Sequence, residues 1–434
     1  MLEKNSGSLM KTSLILIFVT ALSKLMGLIR ELVIANQFGA SRALDNYLLA
    51  FTIPTAIVSI LMYAVPSLII PRLAQVKVKS GTKLFWQAGS YLINIGSVLI
   101  LCISIGSYLM AFKIIHMLAP AISEDDFVNS VHLLRILSIY LAFGGIFPVL
   151  KGILHTEKVF LLPGLVPLSI HITLIFSILL FSNEMGNRSM AYGLSGGAVI
   201  QFLIIYLYLF GRGLKPQINL KNIYFNSIHL SFFIIVIIEI IGQIFAIIDR
   251  YFASQIEGII SALNYSMIVF MLPVSLFGLA IGAAIFPALS DFIAIGNWEK
   301  LKTLIRKSII LIAGIGLPIF IILFLFPELI ISILFERGAF DSKATELTAD
   351  ALKSYSVGLI AVMMHTVFTK AYYSLGLEKI LLTVGGLSIM LKIYLSKILF
   401  KSLMHSGLAL ATSITFIITV IILWGYLEWY LRRH

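Results

Sequence analysis

Four charged side chains near the start of the polypeptide stand where charge is costly. Lys24, Arg30 and Glu31 lie inside an apolar stretch running from Ser13 to Phe38, and Asp45 opens the next one. At bilayer depth such groups cost several kcal/mol each unless they face a protein interior or a water-filled cavity, so their presence points to a polar chamber. The chemistry they suit is capture of an anion. A lysine and an arginine fork would bind phosphate oxygens, with Glu31 and Asp45 limiting repulsion between the bases while no substrate is present. Lys24 and Glu31 are seven residues apart, about two helical turns, and share a face with Gly27 between them; Arg30 starts roughly 100° round from Glu31. The plainer reading is that Arg30, Glu31 and Asp45 pair near the outer interface and fix helix ends while Lys24 snorkels.

The second half offers Glu239, alone in mid-span, and Asp249-Arg250, which repeats Arg30-Glu31 with the charge order reversed. These three are the candidates for ion coupling. A lone intramembrane glutamate suits a proton or sodium site, and equally a protonated carboxyl bonded to a neighbouring helix. Arg135, Lys353, Lys370 and Lys392 fall near the expected helix ends, where snorkelling is the simpler expectation. No metal site is expected, because the eight histidines are scattered and Cys102 is the single cysteine. Neither a G-x-x-x-x-G-K-[ST] phosphate loop nor a nucleophile–base constellation occurs, so the expectation is a non-enzyme without cofactor, driven by a monovalent cation gradient or the membrane potential.

The elements that must hold these groups are membrane helices. With 434 residues, 59% hydrophobic and 12% charged, the chain has too few polar side chains to cover a soluble surface. Apolar runs of about twenty residues, the length that crosses roughly 30 Å of hydrocarbon, recur throughout. The predicted fold is an all-α polytopic membrane protein with about twelve spans, near 12–37, 44–71, 85–110, 131–152, 159–182, 190–211, 228–254, 260–290, 308–334, 350–375, 380–400 and 407–430. The net charge of +12 sits in short loops rather than in a patch interleaved with aromatics, so topology explains it better than nucleic acid does. Arg72, Lys77, Lys79, Lys83, Lys151, Lys158, Arg212, Lys215 and Lys300 to Lys307 fall in alternate loops, opposite Glu124-Asp125-Asp126, which places both termini in the cytoplasm. Lys4 and Lys11 before an apolar run resemble a signal peptide, but the run continues through Lys24 and Arg30 with no small-residue cleavage site, which favours an uncleaved first helix.

A weak repeat links the halves at an offset of about 218 residues. Ala35-Asn36-Gln37 recurs as Ala253-Ser254-Gln255, Pro54 and Pro71 as Pro273 and Pro287, and Gly193-Leu194 as Gly407-Leu408. Six spans per half make the repeats parallel, giving lobes 1–211 and 228–434 joined by a basic connector, 212–227, with the site between them. Pro54, Pro66, Pro71, Pro148, Pro273, Pro287 and Pro318 interrupt helices, as hinges or as static kinks. Gly278, Gly282, Gly314 and Gly316 are expected to allow close helix contact.

Taken together, Ser23 to Glu31, Phe38-Gly39, Asp45, Ala50-Phe51 and Ile53-Pro54 resemble the opening of the MurJ/MviN family of lipid II flippases, within the multidrug/oligosaccharidyl-lipid/polysaccharide exporter superfamily. Phe286-Pro287-Ala288-Leu289-Ser290 and Arg337-Gly338-Ala339-Phe340 are similar to later family segments. The resemblance implies two six-helix lobes in a MATE/MurJ-like V shape. It also implies alternating access that moves an undecaprenyl-pyrophosphate-linked saccharide across the bacterial cytoplasmic membrane for peptidoglycan and cell wall biogenesis. By the family's pattern Lys24, Arg30 and Asp45 line the central cavity, Lys24 standing where arginine is usual and Glu31 where aspartate is common. Membrane lipids and other envelope-synthesis membrane proteins are the implied partners. Departures are Thr55, Val58-Ser59 and Tyr63-Ala64 after Pro54, Met267-Ile268 in place of an Asp-Arg pair, and no run for two further C-terminal helices. Alternatives are an O-antigen or exopolysaccharide repeat-unit flippase, a cation-coupled drug exporter using Asp45 or Glu239, and a non-transporting scaffold for envelope assembly.

Overall fold

A computed structural model of the chain describes residues 2–215 and 230–433, and among these it is helical with no strand. The order is α1 (Leu2–Phe38), α2 (Arg42–Leu109), α3 (Ala111–Leu118), α4 (Glu124–Thr156), α5 (Leu161–Leu165), α6 (Leu168–Met185), α7 (Arg188–Gly211), α8 (Leu230–Ala253), α9 (Ile259–Pro273), a π-helical turn (Val274–Gly278), α10 (Leu279–Ala294), α11 (Trp298–Leu325), α12 (Pro327–Phe335), α13 (Ser342–Ser356), α14 (Leu359–Ser374) and α15 (Glu378–Arg432). At 68 residues, α2 would extend about 100 Å if straight, three times the hydrocarbon thickness. It breaks at Gly81 (φ 83°, ψ 175°) and so makes two passes. The 55-residue α15 breaks likewise at Met404 (φ 50°, ψ −126°). Each predicted run, so far as its residues are described, overlaps a helix, half of a broken helix or two consecutive helices; α13 and α14, which share the run 350–375, meet at 50°. The chain is a multi-pass membrane protein of the expected all-α class.

Helix ends differ more than helix number. The basic stretch around Lys77 and Lys79, expected as a loop, continues α2 in helical form to Gly81. Hydropathy reports immersion in lipid, and a helix can leave the bilayer without unwinding. The acidic loop Glu124-Asp125-Asp126 is the first turn of α4, where the helix dipole favours negative charge. Ser123 caps it, its Oγ accepting from the Asp126 amide at 3.3 Å. The run 308–334 is divided between α11 and α12 because Pro327 starts a new helix. Most of the expected connector, 212–227, lies outside the described residues.

Two compact units emerge, residues 1–38 with 42–239, and residues 39–41 with 240–434. In the first, α4 is the central post: its most apolar stretch is 72% buried, against 17% for Leu161–Met185, whose Leu179, Leu180 and Phe181 are exposed as lipid-facing side chains are. Phe85, Leu150, Ile153, Leu154, Ile205 and Leu209 form a continuous core among α2, α4 and α7. Close packing of α6 on α7 depends on glycine. A Cβ at Gly193 would lie 2.8 Å from Leu174 Cα, and one at Gly197 would lie 2.5 Å from Ile170 Cα.

In the second unit, Phe340 of the Arg337-Gly338-Ala339-Phe340 segment is 1% exposed and packs edge-on against Tyr265 at 5.2 Å and beside Phe335 at 5.8 Å. Gly39, at φ 57°, rests on the Ala339 carbonyl, and Tyr265 Oη donates to the Gly39 carbonyl at 3.4 Å. Gly278 (3.2 Å to Met363 Cα), Gly282 (3.3 Å to Thr366 O) and Gly316 (3.1 Å to Ile360) make the close contacts expected of them, whereas a Cβ at Gly314 would meet none of the described residues within 4 Å. The π turn follows Pro273, whose missing N–H breaks the hydrogen-bond ladder; Thr366 Oγ1 donates to the Gly278 carbonyl at 2.7 Å.

Met404 carries a backbone conformation that only glycine adopts without strain. The variant Met404→Gly is therefore expected to stabilise the protein by about 1 kcal/mol, the relieved strain exceeding the added chain entropy. Thermal unfolding in detergent would read this as a raised Tm.

Candidate functional site

Within the first unit, α1, α2, α4 and α6 bring together a polar and aromatic cluster around Arg30. Arg30 lies eight residues before the end of α1, about 12 Å along the helix axis. Its Nε donates to Glu31 Oε1 at 3.1 Å, and a terminal nitrogen makes a second, shorter bond to the same oxygen. The backbone sets the two side chains about 100° apart, but the guanidino arm is long enough to fold back onto its neighbour. The Glu31 side chain is 9% exposed and that of Arg30 25%, so the carboxylate is nearly sealed while the arginine side chain stays partly accessible.

Tyr47, from α2, and Tyr140, from α4, lie within electrostatic range of the guanidinium. Phe51 bridges them, stacked on Tyr47 with ring centres 5.7 Å apart and tilted against Tyr140 at 5.6 Å. Tyr140 shares a side-chain hydrogen bond with Thr55. From α6, His171 approaches α1 where Gly27 leaves room: its Cε1 would be 3.8 Å from a Cβ at position 27. His171 Nδ1 is buried with no hydrogen-bond partner among the described residues, an orphaned polar atom beside a cation.

The other predicted residues fall elsewhere. Lys24 is exposed on α1, on the face where its spacing places it relative to Glu31, although Glu31 is buried. Asp45 is 1% exposed in the first turn of α2, where the helix dipole stabilises a carboxylate. That end is tied by Asp126, which accepts from Asn46 Nδ2 at 2.8 Å and from Ser123 Oγ at 2.6 Å and pairs with Arg42 at 3.5 Å. Arg30 has Glu31 as its ion-pair partner, and Asp45 belongs to the helix end.

Glu239, the last residue of the first unit, is half-buried on α8 within electrostatic range of Tyr63. In the second unit, Asp249 and Arg250 make contacts of their own. Arg250 donates to the Ile260 carbonyl at 3.0 Å and to Asn264 Oδ1 at 3.4 Å. Asp249 pairs with Lys392 at 2.6 Å. Lys392 thus corrects the snorkelling expectation: it is wholly buried, with its charge satisfied inside the unit. Sequence reasoning also missed Tyr47, Phe51, Tyr140 and His171. The four-residue spacing of Tyr47 and Phe51 on one helix face is the one readable signal. Among the described residues no group of His, Cys, Asp or Glu converges as metal ligands would.

What the cluster can do is hold an anion. The partly exposed Arg30 side chain supplies charged donors for phosphate oxygens, while Tyr47, 3% exposed, and Tyr140, 8% exposed, form the buried wall behind it.

Comparison with known proteins agrees with this membrane architecture. A probable lipid II flippase MurJ from Borreliella burgdorferi is 27% identical over 423 residues, covering 95% of this chain and 82% of that protein. The corresponding protein of Treponema pallidum is 24% identical over 98% of this chain and 83% of its own length. Among solved structures, a lipid II flippase MurJ in an inward closed conformation superposes with a TM-score of 0.83 at 25% identity, covering 96% of this chain and 87% of that one. An inward-facing MATE family multidrug transporter superposes at 0.74 with 15% identity over 95% and 96% of the two chains, a likeness of fold. The sequence profile described as lipid II flippase MurJ matches residues 34–433, so the chain belongs to the MurJ family.

Proposed function

We propose that the protein is a flippase that moves an undecaprenyl-pyrophosphate-linked saccharide, lipid II or a close relative, from the inner to the outer leaflet of the bacterial cytoplasmic membrane. The observation that carries the reading is Arg30, a cation in an apolar helix whose side chain stays 25% exposed beside two tyrosines and the orphaned Nδ1 of His171. A charge kept there and left partly uncovered fits a group awaiting an anionic ligand. Arg30 takes the pyrophosphate, Glu31 orients Arg30, His171 and Tyr140 supply further donors, and Lys24 draws the headgroup in electrostatically. Asp45 serves by fixing the start of α2. The lobes 1–211 and 228–434, joined by the connector 212–227, alternate access, with both termini in the cytoplasm and no nucleotide hydrolysis. A cation gradient or the membrane potential drives the cycle, and Glu239 is the ionisable group best placed to sense it. Partners are the lipid-linked substrate, bulk lipid and the membrane enzymes that make and use the precursor.

Depletion of the protein in its native cells tests this. The expected result is accumulation of a lipid-linked peptidoglycan precursor on the cytoplasmic leaflet, measured by protection of that pool from an externally added enzyme that cleaves the headgroup. Unchanged accessibility of the precursor under depletion would refute the reading.

A further inference from the structure

Among the described residues Lys392 is the one lysine or arginine side chain with no exposed surface, at 0%. Its Nζ lies 2.6 Å from Asp249 Oδ1, 2.6 Å from Thr412 Oγ1 and 2.8 Å from the Leu408 carbonyl oxygen. An ammonium has three N–H bonds, and each finds one of these oxygens. The Thr412 hydroxyl spends its own proton on the Leu408 carbonyl at 3.2 Å, which leaves a lone pair to face the ammonium. A carboxylate, a hydroxyl and a main-chain carbonyl converge on one point, and these are the oxygen ligands that proteins offer to hard cations. Asp249 comes from α8, Lys392 from α15 before its Met404 break, and Leu408 and Thr412 from α15 after it.

We propose that this is a monovalent-cation site whose occupant is built into the chain. The ammonium of Lys392 permanently fills a position that the three oxygens would otherwise offer to an exchangeable Na⁺-sized ion. One carboxylate balanced by one positive charge makes the site monovalent. Asp249 is thereby withdrawn from exchange with bathing ions, and Arg250 is committed to Ile260 and Asn264, so this part of the second unit is held together without Na⁺ or K⁺.

The test uses the full-length protein purified in detergent, with ²²Na⁺ binding and Tm measured in NaCl and in choline chloride at matched ionic strength. Wild type is expected to show the same Tm in both salts and no saturable ²²Na⁺ binding that depends on Asp249. Lys392→Ala opens the position. It should bind ²²Na⁺ stoichiometrically, unfold several degrees lower in choline, and regain most of that loss in NaCl. Lys392→Met fills the same space with apolar atoms and should be destabilised equally in both salts without binding. Saturable ²²Na⁺ binding by wild type that Asp249→Asn abolishes would overturn the proposal, as would a folded Lys392→Ala protein whose Tm ignores the choice of salt. Recovery of folded Lys392→Ala from NaCl but not from choline supports it, and loss from both overturns it. None of these readouts involves a transported substrate, so the outcome is independent of what the Arg30 cluster binds.

Discussion

Replacing Arg30 by alanine is expected to lower translocation of a labelled polyprenyl-pyrophosphate saccharide in proteoliposomes about a hundredfold. A forked guanidinium makes two charge-assisted hydrogen bonds to a pyrophosphate, each contributing about 1.5 kcal/mol, and together they account for two decades in rate. Arg30→Lys keeps the charge but loses the fork, so an intermediate loss is expected. Removing Arg30 alone would also strand the nearly buried Glu31 carboxylate, which can cost several kcal/mol of folding stability. The double variant Arg30→Ala with Glu31→Gln removes that cost while still deleting the donor. It should fold with a near-native Tm and remain inactive. His171→Phe, which keeps the ring volume but loses the orphaned nitrogen, should show a smaller decrease in the same assay. Full transport by the double variant would remove the anion-binding role from this cluster.

A methyl group at position 407 is expected to cost about 3 kcal/mol, and one at position 314 to cost nothing. At Gly407 an added Cβ would overlap the carbonyl oxygen of Leu399 and lie 2.6 Å from its carbon, both rigid backbone atoms. Overpacking of that kind displaces the helix segments on either side of Met404. Gly314 stands on α11 with no atom of the described residues within 4 Å of the space a methyl would take, so Gly314→Ala should instead gain about 0.5–1 kcal/mol from helix propensity. Denaturant titration of the two variants in the same detergent would separate them. A Gly407→Ala protein as stable as wild type would show that the turn between the two halves of α15 can relax.

Much of the architecture is legible in the sequence because lipid imposes one simple rule: twenty apolar residues in a row make a helix. Gly193 and Gly407, paired in the sequence as Gly-Leu, both sit where neighbouring backbone leaves no room for a Cβ. Helix ends are less legible, since Lys77 and Lys79 mark departure from the bilayer rather than the end of α2. At the site, Arg30 and Glu31 stand out because charge in an apolar run is anomalous by itself. His171 and Tyr140 do not, because a polar aromatic in a membrane helix is ordinary until its neighbours are known. Lys392 misleads for a related reason: its partner Asp249 lies 143 residues away, and no pattern within one helix announces it.

The break at Gly81 has a practical consequence. Val78 to Lys83 are all exposed, and none of the described residues approaches within 4 Å of the space where a side chain at position 81 would begin. A short epitope grafted there is expected to be tolerated, measured as retained folding in detergent. The bend is a ready handle for purification and for reporting on the protein in living membranes.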